Sequence, residues 1–200
     1  ALTDLLPQLR RVKNIPSRTL EAWTIETFEA QLDAPNLDID SINAYWNKLP
    51  KALRRNVRLL RARIWALVAG NNSELAATEI SKTLKSDWDS ERAAIYDNLN
   101  LPDKDSQLRQ TEKWLNQHPE DPLILLAAGR FCIRNKHWGK ARSYIESSLA
   151  ISPTPAAYHE LGQLMLKLDE PAAATTAFAK GRTLSGAGAP DVPRLETPGT

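Results

Sequence analysis

The residues able to do chemistry are few and far apart in this sequence. His118, His137 and His159 show neither H-x-x-x-H nor H-E-x-x-H spacing, so no helical metal pair is formed. Cys132 is the single cysteine, which excludes a disulfide framework and a Cys-rich metal site. Its mid-helix, apolar setting reads as a small buried side chain. No G-x-S-x-G occurs, and the eight glycines make no phosphate-cradling cluster before a helix. No pair of carboxylates stands out from the acidic faces of helices. No catalytic residue, metal ligand or cofactor-binding motif is expected, and the chain reads as a non-enzyme. The densest polar run is HWGKARSYIESSLAISP, His137 to Pro153. Its spacing decides its role. Trp138, Ala141, Ile145 and Leu149 fall on one apolar helix face, while His137, Lys140, Arg142, Ser143 and Glu146 lie mostly off it. The run is a packing helix with a solvated side.

Arginine is the one charged type with a coherent direction. Arg54, Arg58 and Arg61 stand at i, i+4 and i+7 within a predicted helix from Lys51 to Ala69. They share a face opposite Val57, Leu60 and Ile64. Arg130 and Arg134 repeat the i, i+4 spacing later, and His159 and Gln163 take the matching face one repeat further on. These seven residues form the candidate partner-binding groove. Clustered guanidiniums grip carboxylates in bidentate pairs. A solvated basic face is the plainer alternative for any one of them.

Net charge is +2, from 26 basic and 24 acidic side chains, too weak a bias for nucleic acid. Hydrophobic residues at 42% and charged ones at 25% fit a folded, water-exposed domain. No run of about 18 apolar residues is present, so no membrane span is expected within this sequence. The chain opens at Ala1 on an apolar-periodic stretch and reads as a piece of a longer protein.

Helical periodicity runs almost throughout, broken by Asn, Asp, Ser, Pro and Gly. Predicted helices cover Thr3 to Val12, Ser17 to Leu32 with Ser17 as cap, Asp40 or Ser41 to Lys48, and Lys51 to Ala69. They continue with Ser73 to Lys85, Asp87 or Asp89 to Asn98, Asp103 to Gln117 and Pro122 to Asn135. Trp138 to Ala150, Thr154 to Leu168 and Pro171 to Leu184 complete the set. Residues 185–200, rich in Gly and Pro, read as a disordered tail.

Within the last four helices a period appears. Gly129 and Gly162 lie 33 residues apart, as do Ala141 and Ala174, Ile145 and Phe178, and Ser148 and Gly181. Small residues at these points let two helices approach. The pattern resembles the tetratricopeptide repeat. Leu125, Ala128, Gly129, Ala141, Ile145, Ser148 and Pro153 carry one copy, and Tyr158, Leu161, Gly162, Ala174, Phe178 and Gly181 the next. A degenerate copy spans Val57 to Ser86. The expected fold is an all-α, right-handed α-α superhelix of tetratricopeptide-like hairpins. It is expected as one continuous solenoid over 1–184, clearest at 122–154 and 155–184.

A narrower resemblance rests on Trp114, Leu115, His118 and Pro119, then Gly129, then Trp138, Gly139, Lys140, Ala141 and Arg142. SDWD at Ser86 to Asp89 and YWNKLPKALR at Tyr45 to Arg54 add to it. Together they resemble the C-terminal region of the HemY family, bacterial inner-membrane proteins associated with haem biosynthesis. The resemblance implies N-terminal transmembrane helices preceding this segment and a cytoplasmic location for the repeats. It implies a scaffold for proteins, the haem-biosynthesis enzymes first among them. It also implies a second reading, in which arginines hold the propionates of haem or a porphyrin. Trp23, Trp46, Trp65, Trp88, Trp114 and Trp138 then either wedge between helices or stack the ring.

Overall fold

The computed structural model describes residues 16–34 and 37–186. Among these the chain is helical, without strands, and divides into two compact units, Ala1–Pro102 and Asp103–Thr200. The predicted helix Thr3 to Val12 lies outside the described residues, as does the tail from 187 onward.

The first unit holds α1 (Ser17–Leu32), α2 (Ile39–Lys48), α3 (Val57–Ala69), α4 (Ser73–Leu84) and the short α5 (Ser90–Ala94), which continues as a 3₁₀ turn, Ile95–Asn98. Ile25, Phe28, Leu49, Leu53 and Leu59 form its buried centre, with Tyr45 and Trp46 packed against it. Several boundaries differ from the sequence reading. Helix α2 begins at Ile39 under an Asp38 cap rather than at Asp40 or Ser41, and the helix expected up to Asn98 is α only over Ser90–Ala94. Ser17 is the first helical residue of α1 rather than its cap. The predicted helix from Lys51 breaks into a 3₁₀ turn, Leu53–Arg55, and α3. Asn56 causes the break. Its backbone is extended, and its side-chain oxygen accepts from the N–H groups of Arg58 (3.0 Å) and Leu59 (3.4 Å). A cap that satisfies two orphan donors competes well with an unbroken helix.

The second unit holds α6 (Lys104–Gln117), α7 (Pro122–Arg134), α8 (Trp138–Ile151), α9 (Pro155–Lys167) and α10 (Pro171–Gly186). Asp103, Asp121 and Thr154 cap α6, α7 and α9 through side-chain oxygens. Helix α10 runs on through Ser185 and Gly186, two residues into the expected tail. The small residues sit where helices touch. A Cβ on Gly129 would lie 2.6 Å from Ile145 Cγ1, and one on Gly162 2.4 Å from Phe178 Cε1. Ala141 and Ala174 are buried beside them.

Three hairpins share one turn. Asn71, Lys136 and Asp169 all take positive φ, at 58°, 59° and 60°. After each, an N–H closes back five residues: Asn72 to Leu67 O, His137 to Cys132 O and Glu170 to Met165 O, at 2.8–2.9 Å. This left-handed C-terminal closure satisfies carbonyls that a helix end leaves open. It joins α3 to α4, α7 to α8 and α9 to α10. The degenerate copy at Val57 to Ser86 is therefore built as the clear ones are.

Candidate functional site

A cavity of about 650 Å³ opens in the first unit, between α1 and α3. Its α3 wall presents Ala62, Ala66 and Ala69, one face at i, i+4 and i+7, with Trp65 at its edge. Ala30, Leu32 and Leu37 face it from the other side. Helix α3 can leave this face open because its other face is anchored: Leu59, Ile64 and Leu67 are fully buried. Trp65 keeps 46% of its surface exposed, an unusual cost for the largest apolar side chain.

Arg58 and Arg61 line the same cavity. Both are already engaged. Arg58 donates two hydrogen bonds to the Glu29 carboxylate on α1, at 2.9 and 2.5 Å. Arg61 donates to both oxygens of Asp89, at 2.9 and 2.5 Å, and also to Glu91. Bonding to Asp89 holds the Arg61 guanidinium charged. Burial pushes the Asp89 carboxyl up, but hydrogen bonds from Arg61 and the Arg92 N–H outweigh it and leave it below the ordinary value. The rim of the groove is thus a set of preformed ion pairs over an apolar floor.

The remaining candidate residues lie elsewhere. Arg54 sits in the 3₁₀ turn, off the face of Arg58 and Arg61. Its Nε donates to Leu49 O and its Nη2 to Asn47 O, so it closes the end of α2. In the second unit, Arg130 donates to Glu160 at 2.9 Å, and Arg134 lies 4.4 Å over the Phe131 ring. His159 packs against Phe178, with ring centroids 5.6 Å apart, and Gln163 is exposed. The structure unites Arg58 and Arg61 in one cavity and distributes the others over separate local contacts.

The tryptophans divide as well. Trp114 is buried, as expected of a wedge, whereas Trp23 and Trp65 are exposed. Trp46 is half-buried under the Arg63 guanidinium, 4.9 Å from its ring. Cys132 is fully buried. Burial pushes its thiol up to about 11, so it is an unreactive packing group. No group of three metal-binding side chains occurs among the described residues. No described helix is long and apolar enough to cross a membrane.

Sequence reasoning missed the acidic side of the groove. Glu29 lies 29 residues before Arg58, and Asp89 lies 28 after Arg61. Both spacings approximate a helical hairpin, which is the only trace they leave in the sequence.

No protein-family model matches the sequence, and no curated protein does. Two solved structures share the fold. The MamA RS-1 ArsTM double mutant superposes with a TM-score of 0.54 at 15% identity, over 82% of this chain and 96% of that one. MamA MSR-1 C2 gives 0.50 at 10% identity, over 84% of this chain and 98% of that one. MamA is a tetratricopeptide-like helical repeat protein. This chain has the same kind of fold, all-α and built of superhelical repeat hairpins.

Proposed function

We propose that this protein is a non-catalytic scaffold whose α1–α3 groove receives an amphipathic helix from a partner protein. The observation that carries this is the open Ala-floored cavity with an exposed Trp65 and charged pairs of both signs along its rim. Small floor residues admit a helix closely, and an exposed tryptophan supplies an anchor of high contact area. Paired rim charges favour orientation over raw affinity.

The partner class follows from the HemY resemblance: enzymes of haem biosynthesis at the bacterial inner membrane, with this domain on the cytoplasmic side. Much of that resemblance is also explained by packing. Trp114, Leu115 and Ala141 are buried, and Lys140 and Arg142 pair with Glu112 and Glu146. Haem or porphyrin binding is the second reading, supported by Trp65, Arg58 and Arg61 sharing one cavity of suitable size. The existing bonds of both arginines to carboxylates favour the protein partner, because propionates would have to displace them.

The test is crosslinking in membranes with the full-length protein, beside an absorbance titration of this domain with haem and protoporphyrin. Capture of haem-pathway enzymes that is lost in Trp65→Glu supports the scaffold. A saturable Soret shift near one equivalent, abolished in Arg58→Glu, replaces it with the tetrapyrrole reading. Neither signal, or one indifferent to Trp65, overturns the assignment of this groove.

A further inference from the structure

Two guanidiniums compete for one carboxylate at the rim of the groove. Arg61 lines the cavity from α3, and its Nε and Nη2 hold both oxygens of Asp89, at 2.9 and 2.5 Å. Arg92, in α5, faces the same carboxylate, but its Nη1 stands 3.6 Å from Asp89 Oδ2, beyond hydrogen-bond reach. Nε and Nη1 of Arg92 are buried without a hydrogen bond, and only Nη2 donates, to Asp87 O. The Arg92 side chain is fully enclosed, whereas that of Arg61 is 30% exposed. The cation that water cannot reach is therefore the one held away from Asp89, and its unbonded donors carry a standing cost. Arg58, the other arginine of the groove, has no such competitor. Its carboxylate, Glu29, meets no second cation among the described residues.

We propose that Arg61 is the residue with which the groove grips an acidic side chain of its helical partner, and that Asp89 passes from Arg61 to Arg92 as it does so. This rests on the groove reading above and names the chemistry of its occupant. Arg61 gives up Asp89 and Glu91 and gains a bidentate pair with the incoming carboxylate. Glu91 is largely exposed and returns to water at little cost. Asp89 is buried and cannot be left unpaired, so its Oδ2 turns to Arg92 Nη1. The bond from the Arg92 backbone N–H to Asp89 Oδ1, at 3.2 Å, holds the carboxylate in place through the change. Asp89 keeps one bonded guanidinium throughout, and a buried donor of Arg92 becomes satisfied. A tetrapyrrole with two propionates would also need Arg58, whose release would leave Glu29 without a cation. One Asp or Glu beside the apolar face of a helix suits one releasable arginine beside an alanine floor.

The test reads the arginine side-chain N–H signals of the whole chain by ¹⁵N NMR. Arg61→Gln should shift the Arg92 guanidinium signals, because Asp89 then turns to Nη1. Trp65→Glu puts a carboxylate on the groove side one turn along from Arg61, a tethered stand-in for the partner's acid. It should move the Arg92 signals in the same direction, and Trp65→Gln should not. Urea unfolding supplies a second measurement. Arg61→Gln alone should raise the unfolding constant by less than about tenfold. In an Arg92→Met background it should raise it by about a hundredfold or more, since Asp89 is then buried without a cation. Arg92 signals indifferent to Arg61→Gln, or equal losses in the two backgrounds, overturn the exchange. A Trp65→Glu spectrum that matches Trp65→Gln at Arg92 overturns the grip on a carboxylate. No partner enters these measurements, so the exchange can fail while Trp65-dependent capture stands, and the groove reading can fail while the exchange stands.

Discussion

Each of the two units is built on its own kind of helix contact. In the second, helices meet through holes: Ile145 enters the space above Gly129, and Phe178 the space above Gly162. In the first, buried guanidiniums take part. Arg63 is 8% exposed, bonds Asn43 at 2.9 Å, lies 3.7 Å from Glu79 and stacks on Trp46. Arg92 is fully buried, donates to Asp87 O at 2.5 Å and has Asp89 at 3.6 Å. The latter is a charge contact only, because Nε and Nη1 of Arg92 make no hydrogen bond. Hole-filling contacts are dry, local and repeatable, so they recur at a fixed period. Ion pairs join residues 28 to 30 positions apart in both units, but among the described residues the buried guanidiniums, which bear the desolvation cost, belong to the first.

This contrast can be broken most severely at Asp89. Asp89→Asn removes the main counter-charge of the buried Arg92, leaving only Asp87, and should cost about 3–5 kcal/mol in urea unfolding. Arg92→Met, which keeps volume while Asp89 retains Arg61, should cost far less. Equal losses would mean that shape rather than charge holds the first unit.

The glycine contacts come next. Gly129→Ala drives a Cβ against the fully buried Ile145 and should destabilise by about 1–3 kcal/mol. Gly162→Ala should cost less despite the shorter contact, since the half-buried Phe178 can move toward the cavity it lines between α9 and α10. The reverse order in thermal melts would show that the second hole is the tighter.

Acid sharpens the comparison. The Asp89 carboxyl is held below its ordinary value of 3.8, so its contribution is complete above that pH and is lost as pH falls through the lower, folded-state value. Hydrogen exchange should therefore show α3 to α5 opening before α7 to α10 on acidification below about pH 4. Asp89→Asn should abolish that order.

Smaller effects belong to the surface. Lys136 carries positive φ in a turn that favours glycine, so Lys136→Gly should raise stability by about 1 kcal/mol. Arg58→Ala removes an exposed pair with Glu29 and should change unfolding by no more than about 1 kcal/mol. A larger loss there would make the groove rim structural rather than available to a partner.

The legibility of the molecule follows the same division. Gly129, Gly162, Ala141 and Ala174 disclosed the second unit because steric exclusion acts at one residue and leaves a small side chain as its mark. The helix starts read at Asp103, Pro122 and Thr154 were equally legible, since a helix start is marked within a few residues. Asn56 has the same chemistry but was hidden inside an apolar, arginine-rich run that reads as one helix. The shared face of Arg58 and Arg61 followed from helical spacing, whereas the carboxylates that neutralise them did not.

The sequence by itself determined the helices, their small-residue contacts and the 33-residue period, because each depends on neighbours a few positions away or on exact repetition. Only the tertiary structure decided that Trp65 faces solvent, that Arg63 and Arg92 are buried, and that Arg58 and Arg61 meet Glu29 and Asp89. Burial and ion pairing depend on which distant helices come together, and a charged or aromatic residue suits either side of that choice until its neighbours are placed.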